Sequence, residues 1–269
     1  MTFVFVIFVL EISETNDEDN LINETIDLDQ VKETSAIVDI PDKRPKLAEL
    51  RQVNNDIKAW INIPGTSVDW PIMRWVEFQN ENQSFYDRKD EYKNYAFEGS
   101  IYSGKGVVFS PFNQLSNNLI IHGHNLDDNP NGKKFAQLVK FQNIDFARNT
   151  PYIFITTEDS QLVYQIFAVF FTDINFECYW VGLDEKRQAK MIEEARSRSE
   201  YNYDVSVTGK DKIITLSTCT YRYGKYQSFG QKNTRFVIQG KLLDKSDKLY
   251  SSASLVKNPN PKQPEIFQN

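Results

Sequence analysis

Ile213-Ile214-Thr215-Leu216-Ser217-Thr218-Cys219 is the stretch on which the reading of this chain turns. β-Branched and apolar side chains dominate it, so it is predicted to be a strand. Alternation then puts Ile214 and Leu216 on one face and Thr215, Ser217 and Cys219 on the other. The thiol is expected on the more polar face, at the C-terminal end of the strand and beside a loop. A buried structural cysteine would more naturally stand where Leu216 stands. An isolated Cys is most often an inert small hydrophobe, and this placement argues against that reading.

Two neighbouring patterns share the strand character. Thr234-Arg235-Phe236-Val237-Ile238-Gln239-Gly240-Lys241-Leu242 alternates an apolar face (Phe236, Ile238, Leu242) with Arg235, Gln239 and Lys241. Asn118-Leu119-Ile120-Ile121-His122-Gly123-His124-Asn125 points Leu119 and Ile121 inward and puts both imidazoles on the opposite face for as long as the strand persists. Gly123 permits close backbone approach or a strand-ending bend. A His-x-His pair could also start a metal site, but the spacing supplies no third or fourth ligand, and no cofactor is called for. A Cys, a His and an Arg at strand rims can together form an acyl-transfer site. They would supply a nucleophile, a proton donor and a fixed cation for a developing oxyanion.

Composition narrows the choices. The 269 residues hold two His (His122, His124) and two Cys (Cys178, Cys219), which excludes a disulfide scaffold and a multi-ligand zinc module. Of the net charge of -6, the segment Glu11 to Glu33 carries nine acids against Lys32 alone. The rest is nearly balanced and has no basic block, so a nucleic-acid partner is not expected.

Four regions are expected along the chain. Residues 1–10 contain the continuously apolar Thr2 to Leu10, too short for a helical span of about 20 residues. They read as the stub of an N-terminal membrane segment, with a short buried strand as the alternative. Residues 11–45 read as an acidic, flexible stalk. Residues 46–245 form the folded part, and residues 246–269 an irregular Ser/Asn/Pro-rich tail.

Within the folded part, Leu47, Leu50, Val53 and Ile57 recur at helical spacing. Strands are predicted at Gly106 to Ser110, Leu119 to Ile121, Tyr152 to Thr156, Leu162 to Phe171, Lys212 to Thr218 and Thr234 to Leu242. A long helix from Asp184 to Arg198 interrupts them, with Asp184 as N-cap, Glu185 in the first turn and Arg196 and Arg198 in the last. The fold class is therefore mainly β with added helices.

Thr215-Leu216-Ser217-Thr218-Cys219 followed by Thr234-Arg235-Phe236-Val237 resembles the active-site signature of the sortases. Ile120-Ile121-His122-Gly123-His124-Asn125 resembles their histidine motif, in which the His after Gly is catalytic. Asp56 to Thr66 looks like the end of their first helix and the following turn. Val68 to Met73, Gln83-Ser84-Phe85-Tyr86 and Glu98-Gly99-Ser100-Ile101-Tyr102 continue the likeness, which covers roughly Leu47 to Leu243. The long helix before the Cys strand is similar to the class B subgroup. Three positions depart from the family pattern. His122 stands where Tyr is frequent, the Thr220 to Asn233 loop is long, and Glu81-Asn82 stands where Asp-Asn is usual.

The resemblance implies a closed eight-stranded β-barrel with an N-terminal helix and a long helix before the Cys-bearing strand. It also implies an enzyme anchored by its N-terminal segment at the extracytoplasmic face of a Gram-positive cell membrane. That enzyme would be a cysteine transpeptidase cleaving the C-terminal sorting signal of secreted proteins after Thr. Cys219 would be the nucleophile, His124 the general acid and Arg235 the oxyanion partner, with Ser217 and Thr218 touching the signal. The acyl group would pass to an amine of a peptidoglycan precursor or a pilin lysine. One alternative is a cysteine hydrolase that uses the same residues and releases product to water; the other is a non-catalytic wall-binding barrel, in which Cys219→Ala would leave function intact.

Overall fold

The computed structural model describes residues 39–79 and 83–265. The apolar segment Thr2 to Leu10, the acidic stretch as far as residue 38 and the Glu81-Asn82 pair lie outside the described residues.

Folded structure opens with helix α1 (Arg44–Val53), which has Pro45 in its first turn, where the missing N–H removes no helical bond. The helical spacing that runs on to Ile57 does not extend the helix. Asn54 Oδ1 accepts the Asp56 N–H at 3.0 Å, a local turn that competes with helical continuation. Ile57 instead begins strand β1 (Ile57–Asn62), so the segment expected to close the first helix is sheet.

The remaining strands are β2 (Asp69–Met73), β3 (Glu77–Phe78), β4 (Gln83–Ser84), β5 (Ile101–Ser103), β6 (Asn118–His122), β7 (Tyr152–Thr156), β8 (Gln161–Asp173), β9 (Tyr201–Tyr203), β10 (Ile213–Cys219), β11 (Thr234–Leu242) and β12 (Leu255–Lys257). The helices α2 (Ile144–Asn149), α3 (Glu185–Arg198) and α4 (Phe229–Asn233) fall among them. Eight strands close a barrel in the order β1-β2-β5-β6-β10-β11-β8-β7. Strand β10 runs parallel to β6 on one side and antiparallel to β11 on the other. Closure removes the exposed edges that such apolar strands would otherwise present.

The polar face of β10 is itself covered. Thr215 and Ser217 are both buried, and their hydroxyls are satisfied inside the protein. Thr215 Oγ1 donates to Asn118 Oδ1 at 2.8 Å and accepts from Gln239 Nε2 at 2.9 Å. Asn118 Nδ2 in turn donates to the Cys178 carbonyl at 2.9 Å. Met191 of helix α3 reaches this side, its sulfur 3.4 Å from Gln239 Nε2. The capping of α3 follows the sequence, with Asp184 Oδ1 accepting from Arg187 N at 2.9 Å.

Two further segments differ from expectation. Gly106 to Ser110 is irregular rather than a strand, because Val107 N bonds back to the Gly104 carbonyl and Val108 N to Ser116 Oγ rather than to a ladder. The tail after Lys245 contains β12, paired antiparallel with β9 and anchored by buried Ala253 and Leu255.

Candidate active site

Strand register gathers the chemistry. Cys219, the last residue of β10, stands directly across from Arg235, the second residue of β11. On the other side of β10, Ser217 stands level with His122 of β6. The two segments stay together past the end of β6. Gly123 N donates to the Ser217 carbonyl at 3.4 Å, Thr218 Oγ1 donates to the Gly123 carbonyl at 2.7 Å, and Asn125 Nδ2 donates to the Cys219 carbonyl at 2.9 Å. His124 is therefore carried alongside Cys219 although the strand has ended.

Gly123 makes that path possible. A Cβ there would lie 2.7 Å from Cγ of the buried Phe135 ring, a separation no side chain tolerates. Cys219, His124, Arg235, His122, Ser217 and Thr218 all line one cleft of about 380 Å³. Trp75, Asp87, Tyr102, Ile174 and Tyr179 complete its lining.

The side chains differ in how they are held. Arg235 Nη1 donates to the carbonyls of Thr234 at 2.7 Å and Lys232 at 2.9 Å, and among the described residues no carboxylate pairs with it. The guanidinium is thus positioned by the main chain. His124 Nε2 hydrogen-bonds the Asp87 carbonyl at 2.9 Å and lies 3.8 Å from Asp87 Oδ1. Burial lowers the His124 pKa, and the Asp87 charge and carbonyl oppose that shift.

His122 is wedged between aromatic rings, 5.6 Å from Tyr102 and 6.2 Å from Tyr179 between centroids. Burial, helped by the nearby Arg235 charge, pushes its pKa down to about 4, so its ring is neutral at physiological pH. Thr218 spends its hydroxyl on the Gly123 carbonyl, and Ser217 Oγ reaches Tyr179 Oη at 3.4 Å.

Cys178 is elsewhere in kind as well as place. It is fully buried in the turn Glu177–Tyr179, burial drives its thiol pKa well up, and both cysteines are free. Among the described residues no group of three or more His, Cys, Asp or Glu could hold a metal ion.

The Sortase domain family profile matches residues 61–243, more than half of the chain. The chain belongs to the sortase family. Sortase B of Listeria monocytogenes is 31% identical over 206 residues, covering 75% of this chain and 76% of that protein. A Staphylococcus aureus sortase B–substrate complex superimposes with a TM-score of 0.62 at 26% identity, covering 76% of this chain and 87% of that one. A sortase B complexed with triglycine gives 0.63 at 25% identity, covering 76% and 88%. The class B assignment and the closed barrel expected from the sequence both hold, and the enzyme is a sortase-type cysteine transpeptidase.

Four residues of this sortase's cleft and its support escaped the sequence reading. Asn125 ends the histidine motif, and its amide grips the Cys219 carbonyl. Asp128 accepts the Tyr221 N–H at 2.8 Å and also takes a short hydrogen bond from Asn125 Nδ2. It thereby ties the start of the long Thr220 to Asn233 loop to the histidine segment. Asp87 and Tyr102 come from β5 and the turn before it, and no spacing rule connects them to His124.

Proposed function

We propose that this enzyme cleaves a C-terminal sorting signal of secreted proteins after Thr and transfers the acyl group to an amine. What carries the reading is the register: Cys219 faces Arg235 across one strand pair and runs beside His124 across the other. Cys219 Sγ, as thiolate, attacks the Thr carbonyl while its proton resides on His124. The negative charge moves to the carbonyl oxygen, where the Arg235 guanidinium, fixed by main-chain carbonyls, receives it. Collapse breaks the peptide bond, and the departing amine takes its proton from His124. The resulting thioester to Cys219 is resolved when an acceptor amine gives up a proton to His124 and attacks the same carbonyl, which returns the thiol.

Ser217 and Thr218 precede the nucleophile on β10, line the same cleft and are assigned to the signal peptide. The S. aureus relative whose structure holds a substrate and the sortase B holding triglycine support both halves of this scheme. A peptidoglycan precursor or a pilin lysine is the acceptor chemistry that fits. The family likeness supports a cell-surface enzyme. Residues 1–10 are assigned to the membrane anchor at the extracytoplasmic face and residues 11–45 largely to a stalk. Among the described residues no helix is long and apolar enough to cross a membrane.

The test uses peptides bearing an Asn-Pro-x-Thr or a Leu-Pro-x-Thr-Gly signal, with and without an amine acceptor. Wild type should form a thioester adduct visible by intact-protein mass spectrometry and partition to the amine product. Cys219→Ala should form none. Adduct on the Cys219→Ala protein would sink the scheme, and release to water unaffected by amine would make the enzyme a hydrolase.

A further inference from the structure

We propose that Asp87 is a positioning residue for His124, its carbonyl fixing the ring's tautomer and its carboxylate, held by Tyr102, steadying the charged ring. This rests on the reading that His124 carries the proton. Asp87 sits in the turn Phe85–Arg88, which Ser84 caps by accepting the Tyr86 N–H at 3.2 Å.

The carbonyl of Asp87 is 2.9 Å from His124 Nε2. A carbonyl only accepts, so Nε2 must carry the hydrogen. In the neutral ring Nδ1 is then the nitrogen left with a lone pair for the thiol or amine proton. When that proton arrives, the imidazolium finds Asp87 Oδ1 at 3.8 Å from its Nε2. The carboxylate itself is oriented by the Tyr102 hydroxyl, which donates to Oδ1 at 2.6 Å. Burial and the Asp87 charge hold the Tyr102 pKa well above its ordinary value, so this donor keeps its proton.

The carbonyl is also held from behind. Gly99 adopts φ +55°, and a Cβ there would fall 2.3 Å from the Asp87 oxygen. Ser100 N donates to the adjacent Tyr86 carbonyl at 2.9 Å. The chain thus uses a left-handed glycine to press against the very atom that orients the imidazole.

The charges facing His124 favour Asp87 as the controlling group. Arg88 on the same turn and Lys134 from the turn Lys134–Gln142 both disfavour the charged ring, as burial does, whereas Asp87 favours it. Glu98, Asp127 and Lys133 line a second pocket that His124 also borders. Cys219 shares its cleft.

The experiment compares Asp87→Asn, Asp87→Leu and Asp87→Glu in the full chain. With two histidines in the sequence, the imidazole signals are followed by NMR and assigned with His122→Phe. Asp87→Asn keeps the carbonyl bond and removes the charge. Its His124 midpoint should fall by about one pH unit or more, and the acid limb of kcat/KM should move down with it. The single-turnover acylation rate should drop about tenfold, with KM within about twofold of wild type. Asp87→Leu, which also strips Tyr102 of its acceptor, should lose at least as much of the rate. Asp87→Glu should recover both the midpoint and the rate in part.

A His124 midpoint unchanged in a folded Asp87→Asn protein overturns the proposal, as does a rate loss with an unmoved acid limb. Full turnover by His124→Gln would instead overturn the proton role of His124, and a shifted midpoint in Asp87→Asn would still stand.

Discussion

Arg235 shows how much one side chain can be asked to do. Two carbonyls, those of Thr234 and Lys232, fix its guanidinium, so its charge is delivered to the cleft at little conformational cost. Replacing it with Ala should lower the single-turnover acylation rate by about 10²–10³, the usual loss for an oxyanion donor, with Cys219 still open to alkylation. Lys should not restore the rate, because a point charge lacks the fork held by the two carbonyls.

His122 makes a different kind of contribution. Its folded pKa near 4 lies below the ordinary 6.5, so the unfolded chain binds a proton there more readily than the folded one. The associated stability is present above about pH 6.5 and is lost as pH falls toward 4, to an upper bound of about 3 kcal/mol. His122→Phe should flatten the Tm-versus-pH curve across that window. A curve as steep as wild type would show that the acid sensitivity comes from other groups.

At the scale of elements, the segment from β6 to the histidine is set by a contact between Gly123 and Phe135. Gly123→Ala places a methyl 2.7 Å from the ring. Overpacking of this kind costs about 1–3 kcal/mol, and the strain falls on the stretch that carries His124. Activity should therefore drop by more than the stability loss explains. Phe135→Leu, which opens the space, should restore activity in the double variant while being itself destabilising. A double variant no better than Gly123→Ala would show that the backbone conformation, not the ring, demands glycine.

The same element shows what the sequence could and could not reveal. Strand β11 and the capped helix α3 were legible because apolar alternation and an Asp N-cap are written in consecutive residues. The turn at Asn54 was not, because it depends on one side chain accepting a neighbouring N–H. Asp87 lies 37 positions before His124 and is brought to it through Tyr102 and the pairing of β5 with β6, a distance that no local pattern spans. The nucleophile, the imidazole and the guanidinium were readable as candidates. Their convergence came only from register.

For the whole molecule, the part past the barrel acts as a strap. After Lys245 the chain returns across the outside. Tyr250 N donates to Tyr152 Oη at 2.7 Å, Ala253 N to the Arg148 carbonyl at 2.7 Å and Lys262 N to the Ser197 carbonyl at 2.9 Å. Strand β12 adds to β9, with Leu255 buried. Lys262 Nζ pairs with Glu194 of α3 at 2.5 Å, so the strap ties the long helix to β7, α2 and β9 together. None of these contacts touches the cleft.

Ending the chain at Lys245 would expose the apolar ground under Ala253 and Leu255 and orphan several main-chain partners. Burial of one Leu contributes about 1.5–3 kcal/mol and each net hydrogen bond about 1 kcal/mol. After the entropy of ordering the segment, a loss of roughly 2–4 kcal/mol is expected. For a domain of this size that corresponds to a Tm lower by about 5–15 °C. Thioester formation with a signal peptide, measured well below the new Tm, should stay within about twofold of the full chain. Loss of acylation at a temperature where circular dichroism shows the truncated protein folded would mean that the strap holds α3 and β10 in their working register. That would make it part of the catalytic apparatus rather than a source of stability.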